Sequence, residues 1–333
     1  MWGAGGGAIG VLLGGVLTGK LDWHWIFLVN IPIGILVFLL CIFLLPKDSR
    51  STETSKLDFG GAFTITGALM LAVYGIVNGN EAGWLSGQTL GLLGGAALLL
   101  IIFLTIEKKI KFPLMPLSLF KLRNVATANV AGVLWSAGMF AWFFISALYL
   151  QQVLGYTPMQ VGLAFLPANV IMAILSLGLS DKIVLHFGIR KNLTVGLSLV
   201  ALGLFWLARV PVDGHFVVDV LPSMLVLGFG CGISFNPMFL AAMSDVKPEE
   251  SGLASGVVNT AFMMGGALGL AVLASLAASR TSTLLMSGVD QIAALNGGYQ
   301  IAFFVGAIFA GSGALIAGIF LQSKKMPENL VGH

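Results

Sequence analysis

Charge is what this sequence has least of: 9% of its 333 residues are Asp, Glu, Lys or Arg, where a soluble domain carries roughly 25%. Too little charge excludes water as the solvent for most of its surface. There are two cysteines, Cys41 and Cys231, with no CxxC pair. That leaves no disulfide framework and no thiolate metal or redox motif, and both read as packing residues. Four histidines without an HExxH, and no Ser/His or paired-carboxylate constellation at a membrane boundary, argue against an enzyme. No basic cluster interleaved with aromatics appears, so the net charge of +3 does not point to nucleic acid. Met1 and Trp2 lead directly into a glycine-rich apolar segment with no basic region before it, so no secretory signal is expected.

What is present is apolar: 57% of residues are hydrophobic and the mean hydropathy is +0.97. Apolar stretches of spanning length fall at 3–19, 24–45, 60–78, 89–106, 125–149, 159–179, 192–208, 216–240, 252–278 and 299–321. The expectation is an all-α polytopic membrane protein of about ten transmembrane helices with no soluble domain. The 44 glycines and 11 prolines fit that class, because membrane bundles use small residues for close packing and tolerate kinks.

The basic residues alternate between loops. Lys47, Arg50, Lys56, Lys108, Lys109, Lys111, Lys121, Arg123, Lys182, Arg190, Lys191, Lys247, Lys324 and Lys325 fall in one set, and only Lys20, Arg209 and Arg280 in the other. Basic loops stay in the cytoplasm, so the first set is read as cytoplasmic and the C-terminus is expected on the cytoplasmic side of a cell membrane. Every ionisable residue falls in a loop or within about a turn of a helix end, which leaves no titratable group at mid-membrane depth.

Several motifs carry a resemblance. Gly6, Gly10, Gly14, Gly15 and Gly19 recur along nearly one helical face, followed by Leu21-Asp22-Trp23-His24-Trp25 and Asn30-Ile31-Pro32. Leu57-Asp58-Phe59-Gly60-Gly61 opens the third span, and Pro113-Leu114-Met115-Pro116-Leu117 lies in a basic loop. Tyr149-Leu150-Gln151-Gln152, Gly155-Tyr156-Thr157-Pro158 and Glu249-Glu250-Ser251-Gly252-Leu253-Ala254-Ser255-Gly256 follow in order. Together these resemble the major facilitator superfamily, specifically its fourteen-helix drug:proton antiporter branch, from the fifth helix to the fourteenth. The family's first four helices, which normally carry an acidic coupling residue, have no counterpart in the sequence. Val11 stands where the antiporter motif usually has proline.

The resemblance implies that 1–45 supplies the last two helices of an N-terminal bundle. Residues 46–124 would be two extra linker helices with a basic loop, 125–322 a complete C-terminal six-helix bundle, and 323–333 a cytoplasmic tail. It implies efflux of lipophilic or cationic organic compounds by proton antiport, with the proton gradient as the energy source and no bound cofactor or metal. The partners would be the bilayer and a small organic substrate, with the protein monomeric. The alternatives are a same-fold carrier of another metabolite or siderophore, and a non-transporting fragment or scaffold.

The neutral polar and aromatic residues Asn129, Trp135, Asn169, Asn236, Asn259 and Met263 lie on the helices that line the family's cavity, and are the substrate candidates. Packing between helices is the competing role for each amide. Gly6, Gly10, Gly14 and Gly15 would be the antiporter-motif glycines. Gly178, Asp181, Lys182, Gly188 and Arg190 resemble the superfamily's cytoplasmic gating loop, with topological anchoring as the alternative. Pro167 and Pro237 are hinge candidates, the latter following Gly228, Gly230 and Gly232.

Overall fold

The computed structural model describes residues 10, 13–19, 21–44, 58–110, 113–247 and 250–322; the side chains of residues 177, 178 and 181 fall outside that description. All regular structure among the described residues is helical. In lipid this follows from backbone chemistry, because only a helix satisfies its own N–H and C=O groups where water is absent. In chain order the helices are α1 (13–19), α2 (Trp25–Leu28), α3 (Asn30–Leu44), α4 (Phe59–Ala82), α5 (Gly87–Lys109) and α6 (Arg123–Leu148). Then come α7 (Pro158–Ile174), α8 (Ser180–Phe187), α9 (Ile189–Leu207), α10 (Leu221–Met243), α11 (Ser251–Met286) and α12 (Gln291–Phe320). Seven of these helical stretches are long and apolar enough to cross a membrane, and Pro158–Ile174 is a shorter apolar helix. The chain is a multi-pass membrane protein.

Polar residues set the starts. Asp58 accepts the Gly61 N–H at 2.8 Å, Ser86 the Thr89 N–H at 3.2 Å, and Asp290 the Ile292 N–H at 3.0 Å. Thr157 and Gln160 form a reciprocal capping box with Pro158 in the first turn of α7. Three π-helical turns, Tyr149–Val153, Leu175–Leu179 and Phe216–Val220, adjoin α6, α7 and α10.

Two parts are distinct. Helices α4 and α5 form a hairpin whose buried residues lie seven apart, Gly61, Ala68 and Gly75 against Thr89, Ala96 and Phe103. That period is the seam of a left-handed pair. The hairpin docks through α4 on α11, where Asn80 donates its amide to the Ser275 carbonyl at 2.7 Å. The second part is a bundle in which α6 packs on α11 and α12, α9 on α10 and α12, and α7 on α10. Its largest fully buried side chains include Trp135, Trp142, Tyr149 and Phe303.

Hydrogen bonds close the bundle at both ends. At one, Arg123 Nε donates to the Phe320 carbonyl at 2.8 Å, and the Gln322 N–H donates to Asn124 at 2.9 Å. At the other, Asn296 and Gln300 both donate to the Val210 carbonyl, at 3.0 and 2.8 Å, and Tyr299 donates to Gln152 at 2.7 Å.

The structure departs from the sequence reading in several places. Helix α11 runs to Met286, beyond the expected end at 278, and its 36 residues extend about 54 Å, more than the hydrocarbon thickness. Polar Ser279, Arg280 and Thr281 do not end it, because α12 packs alongside and the Thr281 hydroxyl donates to the Ala294 carbonyl at 3.3 Å. The segment expected to be a gating loop is helical over Ser180–Phe187, and the chain turns at Gly188 alone, whose φ of +81° favours glycine. Cys231 is buried as expected, whereas Cys41 is exposed on α3, a helix with no buried residue.

Candidate functional site

A cleft of about 500 Å³ opens between α6, α7 and α11, lined by Met139, Phe140, Phe143, Phe144, Ala147, Val161, Phe165 and Leu270. Its lining includes four phenylalanines and no ionisable side chain. The helix register explains the wall: Phe140, Phe143, Phe144 and Ala147 follow one another at spacings of three and four on α6, and Val161 and Phe165 are one turn apart on α7.

Behind the wall the rings interlock. Phe143 stacks on Phe165 with centroids 5.4 Å apart and planes 22° from parallel, and Trp142 contacts both, at 4.4 and 6.0 Å. A second group joins Phe140 to Phe262 at 5.9 Å, Phe262 to Trp135 at 5.4 Å, and Trp135 to Phe235 of α10 at 5.8 Å. Such rings offer large dispersion surfaces at low conformational cost, and their faces attract cations. Chemically the cleft can hold a flat apolar or weakly cationic molecule by shape, and cannot neutralise a strong ionic charge with a fixed counter-ion.

None of the sequence candidates is among the residues that line this cleft. Trp135 is fully buried behind the wall, and its indole N–H, without an oxygen acceptor, sits beside the Cys231 thiol. Asn169 is 1% exposed, one turn along α7 from Phe165, and its amide nitrogen has no partner among the described residues. Asn129 is 5% exposed; its amide donates to the Val125 carbonyl of its own helix at 2.8 Å and its oxygen has no partner among the described residues. Asn236 donates to the Ser176 carbonyl at 3.1 Å, tying α10 to the π-helical turn after α7. Asn259 and Met263 are exposed, on the α11 stripe that reaches Leu270 in the cleft.

Of the motif glycines, Gly6 lies outside the described residues. Gly10 and Gly14 meet nothing within 4 Å among the described residues, whereas a Cβ on Gly15 would fall 2.9 Å from the Pro158 carbonyl oxygen. Gly15 is therefore where α1 meets the start of α7. In the gating motif, the side chains of Gly178 and Asp181 lie outside the described residues. Lys182 is exposed, and Arg190 donates from Nε to the Gly318 carbonyl at 2.7 Å, linking the first turn of α9 to the last of α12. Pro167 and Pro237 both sit inside helices, α7 and α10.

The phenylalanines of the cleft were not among the sequence candidates. Their signal was the Phe140, Phe143, Phe144 spacing on a helix that also carries Asn129, a pattern that lipid-facing stripes share.

Comparison with known proteins bears on the same helices. A family model described as Major Facilitator Superfamily matches residues 1–270. Among curated relatives, the puromycin resistance protein pur8 of Streptomyces alboniger is 32% identical over 96% of this chain and 64% of its own length. The cephamycin export protein CmcT of Amycolatopsis lactamdurans is 35% identical over 83% of this chain and 57% of its own length. The multidrug resistance protein Stp of Mycobacterium tuberculosis is 31% identical over 86% of this chain and 52% of its own length. The chain thus spans between about half and two thirds of the length of these relatives.

Proposed function

The chain belongs to the Major Facilitator Superfamily, and from that premise we propose that it is part of an exporter of lipophilic or weakly cationic organic compounds, driven by proton exchange. The observation that carries this reading is the cleft between α6, α7 and α11, walled by Phe140, Phe143, Phe144 and Phe165 without a charge. A site of that kind selects by shape and dispersion rather than by ion pairing, which suits chemically varied apolar substrates. The relatives named for puromycin resistance, cephamycin export and multidrug resistance support the same direction of transport.

The site acts with its surroundings. Asn169, with an unpartnered buried amide next to Phe165, orients a polar group of the substrate, while the interlocked rings of Trp142, Phe143 and Phe165 hold its apolar body. Helix α7 lines the cleft and α10 packs against α7, and Pro167 and Pro237 let them bend as access alternates. In this reading 1–45 completes an N-terminal bundle, 46–124 is the linker, 125–322 is the substrate-binding bundle and 323–333 is a tail. The basic end, with Arg123 and Arg190, faces the cytoplasm of a cell-membrane protein. It performs transport and not catalysis, and works as a monomer.

Cells making the protein and preloaded with a fluorescent lipophilic cation test the proposal. Dye should leave faster than from cells carrying an empty vector, and a protonophore should abolish the difference. Equal efflux from both, with the protein shown to be in the membrane, would overturn it.

A further inference from the structure

The two buried carboxylic acids among the described residues are not in the cleft. Asp58, at the start of α4, is 5% exposed, and Glu107, at the end of α5, is 4% exposed. Each has one oxygen satisfied by the backbone: Asp58 Oδ1 accepts the Gly61 N–H at 2.8 Å, and Glu107 Oε2 accepts the Met115 N–H at 3.0 Å. The other two oxygens, Asp58 Oδ2 and Glu107 Oε1, are buried and have no donor among the described residues.

Those two oxygens converge. A Cβ placed on Gly61 would lie 2.2 Å from Asp58 Oδ2 and 3.0 Å from Glu107 Oε1, so the missing side chain of Gly61 leaves the space in which they meet. The two carboxyls therefore face each other across the space beside Gly61. Among the described residues no cation pairs with either. Lys108 and Lys109 on α5 and Lys121 on the following segment are exposed, while Lys56 and Lys111 lie outside the described residues. Two ionised carboxylates facing one another in a buried space repel, and each would have an oxygen without a donor. One proton between them removes both costs.

We propose that Asp58 and Glu107 share a single proton, a proton-binding site that fastens the segment 113–122 to the α4–α5 hairpin. The position gives this site its consequence. From Met115, held by Glu107, the chain runs to Leu119, which is 1% exposed and packs with Val125 of α6 and Ala254 and Val257 of α11. The proton thus sits at a joint between the hairpin and two helices that border the aromatic cleft. Loss of the proton places two negative charges at the joint and loosens the segment; binding restores it. The site stands on the hairpin's geometry alone and does not depend on the transport reading.

Infrared titration of the purified full chain in lipid nanodiscs tests it. The wild-type protein should show, at neutral pH, the carbonyl band of one protonated carboxyl that shifts in heavy water and is lost on going alkaline. Asp58→Asn, which keeps the α4 cap, and Glu107→Gln, which keeps the acceptor for Met115, should each remove that band. Amide exchange in 113–122 should then rise about tenfold in the wild type as the band is lost, beyond the intrinsic pH dependence, and the rise should be absent in Glu107→Gln. A wild-type protein with no such band, or a band that survives in both variants, would overturn the proposal. So would a segment whose exchange follows the same pH course in wild type and Glu107→Gln.

Discussion

Gly228→Leu is expected to deprive the membrane of most of its folded protein. A Cβ at this position of α10 would fall 2.6 Å from the Ala168 carbonyl oxygen and 2.9 Å from its Cα, both backbone atoms of α7. Backbone cannot swing aside as a side chain can, so α7 and α10 must separate or one of them bend. Overpacking costs roughly 1–3 kcal/mol in well-packed interiors, and a total stability of about 5–15 kcal/mol leaves little margin for a leucine against backbone. Gly230 and Gly232 are pressed in the same way, against Gly196 and Val200 on one side and Leu175 on the other, so the glycines of α10 serve close packing. Gly91→Leu on α5, where nothing lies within 4 Å of a Cβ, is the control and should leave expression unchanged. Size-exclusion profiles of the tagged proteins extracted in mild detergent report the difference: a monodisperse peak for the control and aggregate for Gly228→Leu.

The second large effect concerns the stacked pair in the cleft. Phe143→Leu together with Phe165→Leu keeps the site apolar and close in volume, yet removes the two rings whose centroids lie 5.4 Å apart. Aromatic contacts are worth about 0.5–1.5 kcal/mol each beyond area burial, so losing two should weaken a planar aromatic substrate by about ten- to a hundredfold. A purely aliphatic lipophilic cation should be affected little. Efflux of the two kinds of compound, compared in the same cells at matched expression, separates lost recognition from lost folding. Folding damage would lower both together.

Much of this architecture was legible in the sequence because lipid imposes a simple code. Each apolar run from residue 24 onward coincides with a helical stretch among the described residues. What escaped follows from contacts that a hydropathy profile does not contain. The helix through Ser279, Arg280 and Thr281 continues because α12 supports it, although the local composition suggests a loop. Ser180–Phe187 is helical although its charges resemble a loop motif, because one glycine with positive φ suffices to turn the chain. Gly15, rather than Gly10 or Gly14, makes the close approach to α7, a distinction that depends on where the neighbour lies.

The site was partly legible for the same reason. Asn129, Trp135, Asn169 and Asn236 stood out as polar or aromatic groups at depth, and the structure places them inside the bundle but not in the lining of the cleft. Phe140, Phe143 and Phe165 did not, because phenylalanine on a membrane helix reads equally as lipid-facing. Asp58 and Glu107 sat at helix ends, where carboxylates are usually solvated; only the folding of the hairpin and the 113–116 segment over them makes them buried.

The measurement closest to the central claim is photoaffinity labelling of the purified chain with a light-activated lipophilic aromatic cation, read by peptide mass. The account predicts label on residues 139–147 of α6 and 161–169 of α7, reduced by an excess of the unlabelled compound. Label spread along the exposed face of α3 and the outside of the bundle, undiminished by competitor, would show that the compound merely partitions into lipid and would contradict the assignment of the aromatic cleft.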